Sequence, residues 1–302
     1  MNEKIEPTPK DHGLVTLKKM VNKDDPLILI DFIQHHTKLS KSLIKKVFDN
    51  GGVWLKKGLK GKTLRVRRAQ TELHLDSFVE FYYRPQFYTE DFESKLKPID
   101  CLFDGEHYGV FYKPQGIMSA GNEFGDFGSA QRQVEKFKNF NPKQNKKVHL
   151  IHRLDREASG IMLFAYHDKA AMKLSQLFQE RQVIKRYRVL TLGQISKKYK
   201  NGTGKIQMKL DGKEAITLFS TVFENEKTTI LDVEIKTGRL HQIRRHFDKI
   251  QFPLMGDPKY GRKNKNKSGL QLIAYHLEFM DPFTAKNVHY TLPDDKLIMV
   301  ED

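Results

Sequence analysis

The sequence predicts an α+β protein: a larger domain on a mixed, largely antiparallel sheet, with a small N-terminal helix-and-strand module before it. Three observations carry this. Strand-like segments come in runs, at 185–192, 205–210, 215–222 and 229–236, with few helices among them. The helices that do occur show one apolar face each. At 302 residues, 38% of them hydrophobic, the chain can bury a full core and divides into one large and one small domain.

Residues 1–25 are mostly polar, with Pro7, Pro9 and a small basic patch at Leu17-Lys18-Lys19-Met20, and read as a loosely ordered arm. The small module spans 26–84. It opens on the apolar element Leu27–Ile33, and Ser40 is placed to cap a helix from Lys41 to Asp49. Leu43, Ile44, Val47 and Phe48 share one face of that helix, while Lys41, Lys45 and Lys46 lie outside. Asn50-Gly51-Gly52 ends it. Strands are expected at Val53–Leu55, Leu73–Leu75 and Phe78–Tyr83. Residues 85–98, with proline at each end, read as a linker.

The larger domain runs from 99 to 302. His107–Lys113 is a strand closed by the turn Pro114-Gln115-Gly116, and a helix is expected from Ala130 to Phe137. Val148–Ile151 and Ile161–Tyr166 are short apolar runs that read as buried strands. Between them lies His152-Arg153-Leu154-Asp155-Arg156-Glu157-Ala158-Ser159-Gly160. Positive charge on both sides favours the anionic form of a carboxylate. An anionic carboxylate on a rigid sheet is equipped to act as a nucleophile. The same triplet is also what a surface ion-pair cluster looks like.

Further on, Asp168 is placed to cap a helix through Gln182. The strand at 185–192 puts Lys185, Tyr187 and Val189 on one face, Arg186 and Arg188 on the other. After Gly238, Leu240, Ile243, Phe247 and Ile250 mark the buried stripe of a helix. At about 100° per residue Arg244 falls at the edge of that stripe, and Gln242 and Arg245 point away. An inward arginine needs a carboxylate partner. Asp155 is the expected one, another acid the alternative. A turn, Gly256–Gly261, and a basic loop, Arg262–Gly269, follow.

Charge narrows the partners. Lys and Arg number 53 against 37 Asp and Glu, leaving +16, which points to a polyanion, nucleic acid before membrane. Cys101 is the single cysteine, so a disulfide within the chain and cysteine-type zinc sites are excluded. The first residues lack a secretory pattern and no apolar run has bilayer-spanning length, so a cytoplasmic protein without membrane contact is expected. No metal-ligand cluster or nucleotide-type glycine loop stands out, so neither metal nor cofactor is expected.

The string from His152 to Gly160, followed by an apolar strand, resembles the signature of the RluA-type RNA pseudouridine synthases, with Ala158 where threonine is common. Lys185-Arg186-Tyr187 and Thr237-Gly238-Arg239-Leu240-His241-Gln242-Ile243-Arg244 resemble two further family motifs in the right order. Gly256–Gly261 matches as well, and Tyr112–Gly116 resembles the family's Asn-Lys-Pro-x-Gly element. The small module resembles the S-four ribosomal-protein type of RNA-binding unit.

The resemblance implies an isomerase that detaches uracil from its ribose within structured RNA and rejoins it through carbon, without a cofactor. It implies three catalytic residues. Asp155 would be the nucleophile, Arg244 would hold and balance it, and Tyr187 would lie against the uracil as the favoured group for proton removal. The target would be flipped out, with Arg153 helping to fill the space and His152 lining the RNA surface. Further RNA contacts are expected from Lys113, Lys185, Arg239, His241, Arg262, Lys263, Lys265 and Lys267, and from Lys41, Lys45 and Lys46 of the small module. The module leans towards ribosomal RNA, while Arg244-Arg245-His246 resembles some transfer-RNA members. A monomer is expected. The alternative is a non-catalytic RNA-binding or ribosome-assembly protein on the same fold.

Overall fold

The computed structural model describes residues 13–58, 60–89, 96–139, 147–261, 264 and 267–298. The chain divides into two compact units, one of residues 1–97 with 120–132, the other of residues 98–119 with 133–302.

The first unit holds β1 (Val15–Met20), α1 (Leu29–Thr37), α2 (Lys41–Asn50), β2 (Val53–Lys56), β3 (Thr63–Arg65) and β4 (Phe78–Tyr83). Its sheet runs β1-β4-β2-β3 through antiparallel pairings. Helix α2 forms as its pattern predicts. The Ser40 hydroxyl accepts the Leu43 N–H, and Gly51 at φ 79° closes the far end in the left-handed region glycine favours. Leu43, Ile44, Val47 and Phe48 are buried with Phe32, Ile33 and Phe81. Two expectations fail here. Val15–Met20 is a strand, not part of a loose arm, because Val15, Leu17 and Lys19 turn towards the module while Thr16, Lys18 and Met20 face out. Leu73–Leu75 is no strand: Leu73 is pinned through its N–H to the Leu27 carbonyl, beside an isolated bridge from Ile28 to Glu72. The third strand is instead β3, three residues with no buried side chain and so no alternation to read.

In the second unit the strands are β5 (Asp100–Asp104), β6 (Tyr108–Lys113), β7 (His149–Leu150), β8 (Ser159–Ala165), β9 (Ile184–Leu192), β10 (Thr203–Leu210), β11 (Lys213–Glu224), β12 (Thr228–Ile235), β13 (Leu272–Met280) and β14 (Asn287–Thr291). Among the described residues they form one sheet, ordered β10-β11-β12-β9-β13-β8-β6-β5, with β14 on β13 and β7 on β8. Only β13 with β8 is parallel. The mixed, mostly antiparallel sheet of the α+β prediction is what stands here. Helices α3 (Ala130–Lys138), α4 (Asp168–Gln179) and α5 (Gln242–Lys249) complete the order.

Every residue of β8 is buried, each large side chain contributing about 1.5–3 kcal/mol by leaving water. Gly160 is required there. Its φ is 127°, and a Cβ would sit 2.3 Å from the Ala274 carbonyl oxygen of β13. That close approach fixes where β8 begins, and with it the turn carrying Asp155. Helix α4 packs on β8 through Leu174 and Ala170, but its cap is the His167 ring, which accepts the Ala170 N–H; Asp168 is the first helical residue and the helix ends at Gln179.

Candidate active site

Asp155 lies in the turn between β7 and β8, and a second loop laces that turn in place. The Ser119 hydroxyl donates to the Leu154 carbonyl at 2.6 Å and accepts the Leu154 N–H at 3.0 Å. Gly116 N–H donates to the Arg156 carbonyl at 2.8 Å. From the end of β6, the Lys113 ammonium donates to the carbonyls of Ile117 (2.8 Å) and Ala158 (2.6 Å). Lys113 is wholly buried, so the expectation that it contacts RNA is corrected: it staples the Asp155 turn to the 113–119 loop. Burial pushes its pKa down to about 7, against the pull of Asp155 and Glu157.

Helix α5 brings Arg244 to this turn. One guanidinium edge is spent on Asp257, with Nε and Nη2 each donating at 2.8 Å. Nη1 donates to Asp155 Oδ2 at 3.0 Å and to Glu157 at 3.4 Å. Burial alone would lower the Arg244 pKa, but the hydrogen bonds to Asp257 and then Asp155 raise it. Burial pushes the Asp257 carboxyl up, and Arg244 with the backbone N–H groups of Lys259 and Tyr260 brings it below its usual range. So the expected Arg244–Asp155 contact is present, while the tighter partner is Asp257. The signal for Asp257 was its place in the Gly256–Gly261 turn just after the helix.

The stripe around Arg244 differs from the expectation. Leu240 lies before the helix with 66% of its surface exposed, and Gln242 is buried. The reason is polar. The Gln242 amide accepts from the Arg239 N–H and the Thr237 hydroxyl and donates to the Ile216 carbonyl and the Thr217 hydroxyl, anchoring the helix start to β11. Arg245 does point outward, to Asp211.

His241 precedes the helix in the left-handed region, φ 51°. Its Nδ1 is 3.1 Å from the Tyr260 hydroxyl and its Nε2 is 3.8 Å from Asp155 Oδ1. Tyr187 projects from β9 on the buried side with Val189, its strand-mates Arg186 and Arg188 facing Glu234 and Asp232. Burial, then the Asp155 charge, raises the Tyr187 phenol above its ordinary value. Asp155, Glu157, Tyr187, His241, Arg244, Asp257 and Tyr260 thus form one site.

The other expected residues fall apart from it or differ in role. His152 is half-buried; its ring stacks on Phe178 and its Nε2 accepts the Leu163 N–H. Burial, and less so Lys185, pushes its pKa down to about 3, so the ring is neutral where it braces β8. Arg153 is exposed, and Arg156 donates to the Gly116 carbonyl, so the guanidinium on Asp155 comes from Arg244 and not from its flanking arginines. Arg239 donates to the Glu214 carbonyl. Lys185 lies over the Phe178 ring, its pKa lowered by burial. Lys267 is exposed, whereas Arg262, Lys263 and Lys265 lie outside the described residues. On α2, Lys41 pairs with Asp31, and Lys45 and Lys46 are exposed.

Among the described residues one group, Asp25, His35 and His36, brings potential metal ligands within 4.8 Å of one another. Two of the three are already bonded: His36 bonds Asp25 through Nε2 and Lys19 through Nδ1, and an ammonium at that ring repels a cation. No helix among the described residues is long and apolar enough to cross a membrane.

The α+β fold has its counterpart in known proteins. The family model for RNA pseudouridylate synthase matches residues 107–249. An uncharacterized RNA pseudouridine synthase of Aquifex aeolicus is 31% identical over 268 residues, 80% of this chain and 82% of that one. Ribosomal large subunit pseudouridine synthase C of Buchnera aphidicola subsp. Schizaphis graminum is 28% identical, over 65% of this chain and 67% of its own. Human RNA pseudouridylate synthase domain containing 4 shares the fold, with a TM-score of 0.53 at 20% identity, over 65% of this chain and 89% of that one. The chain belongs to the RluA-type RNA pseudouridine synthases. It is an isomerase that converts uridine in RNA to pseudouridine.

Proposed function

We propose that Asp155 is the nucleophile of this isomerisation and that the substrate is ribosomal RNA. Its carboxylate takes up a bond to the sugar or the base while uracil is detached, turned and rejoined through carbon, then leaves unchanged. The observation that carries this is a contrast of access. Of the two carboxylates within 3.0 Å of Arg244, Asp257 is fully buried while the Asp155 side chain keeps 22% of its surface. Asp257 serves the arginine; Asp155 is the one a flipped nucleotide can reach. Arg244 balances the charge Asp155 carries between attacks, and Tyr187 packs against the base. Arg153, exposed beside the site, fills the stack the uridine leaves.

Two relatives in Buchnera are named ribosomal large subunit pseudouridine synthase C, which supports ribosomal over transfer RNA. The net charge of +16 supports binding to a polyanion of either kind. The test compares neighbours in the turn. Asp155→Asn, nearly isosteric, abolishes turnover and leaves RNA affinity little changed, whereas Glu157→Gln keeps most activity. Substantial turnover by purified Asp155→Asn overturns the assignment. Mapping pseudouridines in RNA from cells lacking the protein identifies the substrate.

A further inference from the structure

Rejoining uracil through C5 leaves a proton to be moved. The C5–H bond must break, its electron pair re-forming the C5–C6 double bond, while the N1–C6 double bond returns a pair to N1, which takes a proton from water. Tyr187 is poorly suited to accept the C5 proton. It is only 8% exposed, and burial, with Asp155, keeps its phenol protonated at neutral pH. A protonated phenol is a very weak base.

We propose that His241 is the base that takes the C5 proton, with Tyr260 orienting its ring. This rests on the reading of Asp155 as nucleophile. Three observations on separate footing support it. First, Nε2 of His241 is 3.8 Å from Asp155 Oδ1, the oxygen that does not bond Arg244, so the ring borders the point where the reacting nucleotide must sit. Second, Nδ1 is 3.1 Å from the Tyr260 hydroxyl. With the proton on Nδ1 and donated to Tyr260, Nε2 turns a lone pair into the site; once protonated there, its new N–H faces Asp155. Third, His241 is held at φ 51°, a left-handed conformation that costs energy for a residue other than glycine. The buried Gln242 amide, bonded to Thr237, Arg239, Ile216 and Thr217, maintains it.

The surroundings keep the ring in its basic form. Burial lowers its pKa; Asp155 and Glu157 from the β7–β8 turn oppose this, and Arg244 of α5 and Lys259 of the following turn add to it. Burial thus favours the neutral imidazole, the form that can accept a proton.

The experiment uses transcripts of large-subunit ribosomal RNA and of transfer RNAs, each made with UTP or with [5-2H]UTP, on the full chain. His241→Ala is expected to lower kcat by about 100-fold or more with little change in KM. It is also expected to show a deuterium effect that the wild type lacks, and to regain part of kcat with added imidazole. The acid limb of the pH–kcat profile disappears in the same variant. Tyr187→Phe slows the reaction without a deuterium effect. The proposal is overturned if the deuterium effect arises in Tyr187→Phe and not in His241→Ala. It is equally overturned if His241→Ala loses activity with no deuterium effect and no imidazole rescue, as a merely structural histidine would. Failure of the nucleophile assignment shows separately, as turnover by Asp155→Asn.

Discussion

Arg244 and Asp257 meet through two parallel hydrogen bonds of 2.8 Å, and neither side chain keeps more than 1% of its surface. The pair works as a rail: with one edge of the guanidinium fixed by Asp257, the remaining nitrogen has a single direction, towards Asp155. Breaking a buried pair by removing one partner costs about 3–5 kcal/mol. Asp257→Ala is therefore expected to lower stability by that order in urea denaturation and to cut kcat although it touches no substrate. Arg244→Lys keeps the charge but cannot span two carboxylates, so it folds and retains little activity. Arg245→Ala, one residue along and paired with exposed Asp211, leaves both stability and kcat nearly unchanged. Equal kcat losses at 244 and 245 would refute the rail.

Much of this was legible beforehand, and the reasons for the rest are local. Periodicity located α2, which has one buried and one solvated face, and the first half of β9, where exposed Arg186 stands beside buried Tyr187. It failed at α5, where Gln242 is buried by four hydrogen bonds and Leu240 is exposed, the reverse of hydrophobic patterning. It failed at Lys113 for the same reason: a charged side chain reads as surface, yet backbone carbonyls receive it. Asp155 and Arg244 stood out by motif. Asp257 and Tyr260 complete the site from the Gly256–Gly261 turn, which the sequence marked as a turn without showing that it faces Arg244.

The Lys113 staple gives a prediction of its own. Lys113→Met fills the space but leaves the Ile117 and Ala158 carbonyls without their donor, each unmet buried group costing about 1–3 kcal/mol. The Asp155 turn should loosen. Hydrogen exchange at Leu154 and Ala158 is expected to accelerate, and kcat to fall more than RNA affinity. Ser119→Ala, which removes both bonds to Leu154, should act in the same direction. Unchanged exchange in both variants would show the turn to be rigid without the second loop.

Two histidines set an acid limit on the fold. Burial holds His246 down to about 4, and both of its ring nitrogens are buried without a partner; His152 is held to about 3. Both folded values lie below the unfolded value of about 6.5, so the unfolded chain binds more protons in between. Their contribution is complete above pH 6.5 and is lost as pH falls towards 4 and then 3. At about 1.4 kcal/mol per pH unit, His246 alone accounts for about 3 kcal/mol by pH 4. His246→Phe should flatten the fall in stability between pH 6.5 and 4, measured by urea denaturation at fixed salt. A fall as steep as the wild type's would place the acid sensitivity elsewhere.

The lysines of α2 differ in what they can offer RNA, and the difference is measurable. Lys41 is already paired with Asp31, whereas Lys45 and Lys46 are exposed on the face opposite Leu43 and Val47. Each lysine that neutralises a phosphate adds about 0.7 to the slope of log affinity against log salt on single-stranded RNA. If this helix contacts RNA, replacing Lys45 and Lys46 together with alanine flattens the slope by about 1.4, twice that increment. Lys41→Ala changes it little, because Asp31 has already offset that charge. Neither change should move stability by more than about 0.5 kcal/mol, since the side chains are exposed. Filter binding of ribosomal RNA fragments across a salt series reads the slopes directly. An unaltered slope in the double variant would make these lysines a solvated face and move phosphate contact to the second unit, where Arg153 and Lys267 are exposed.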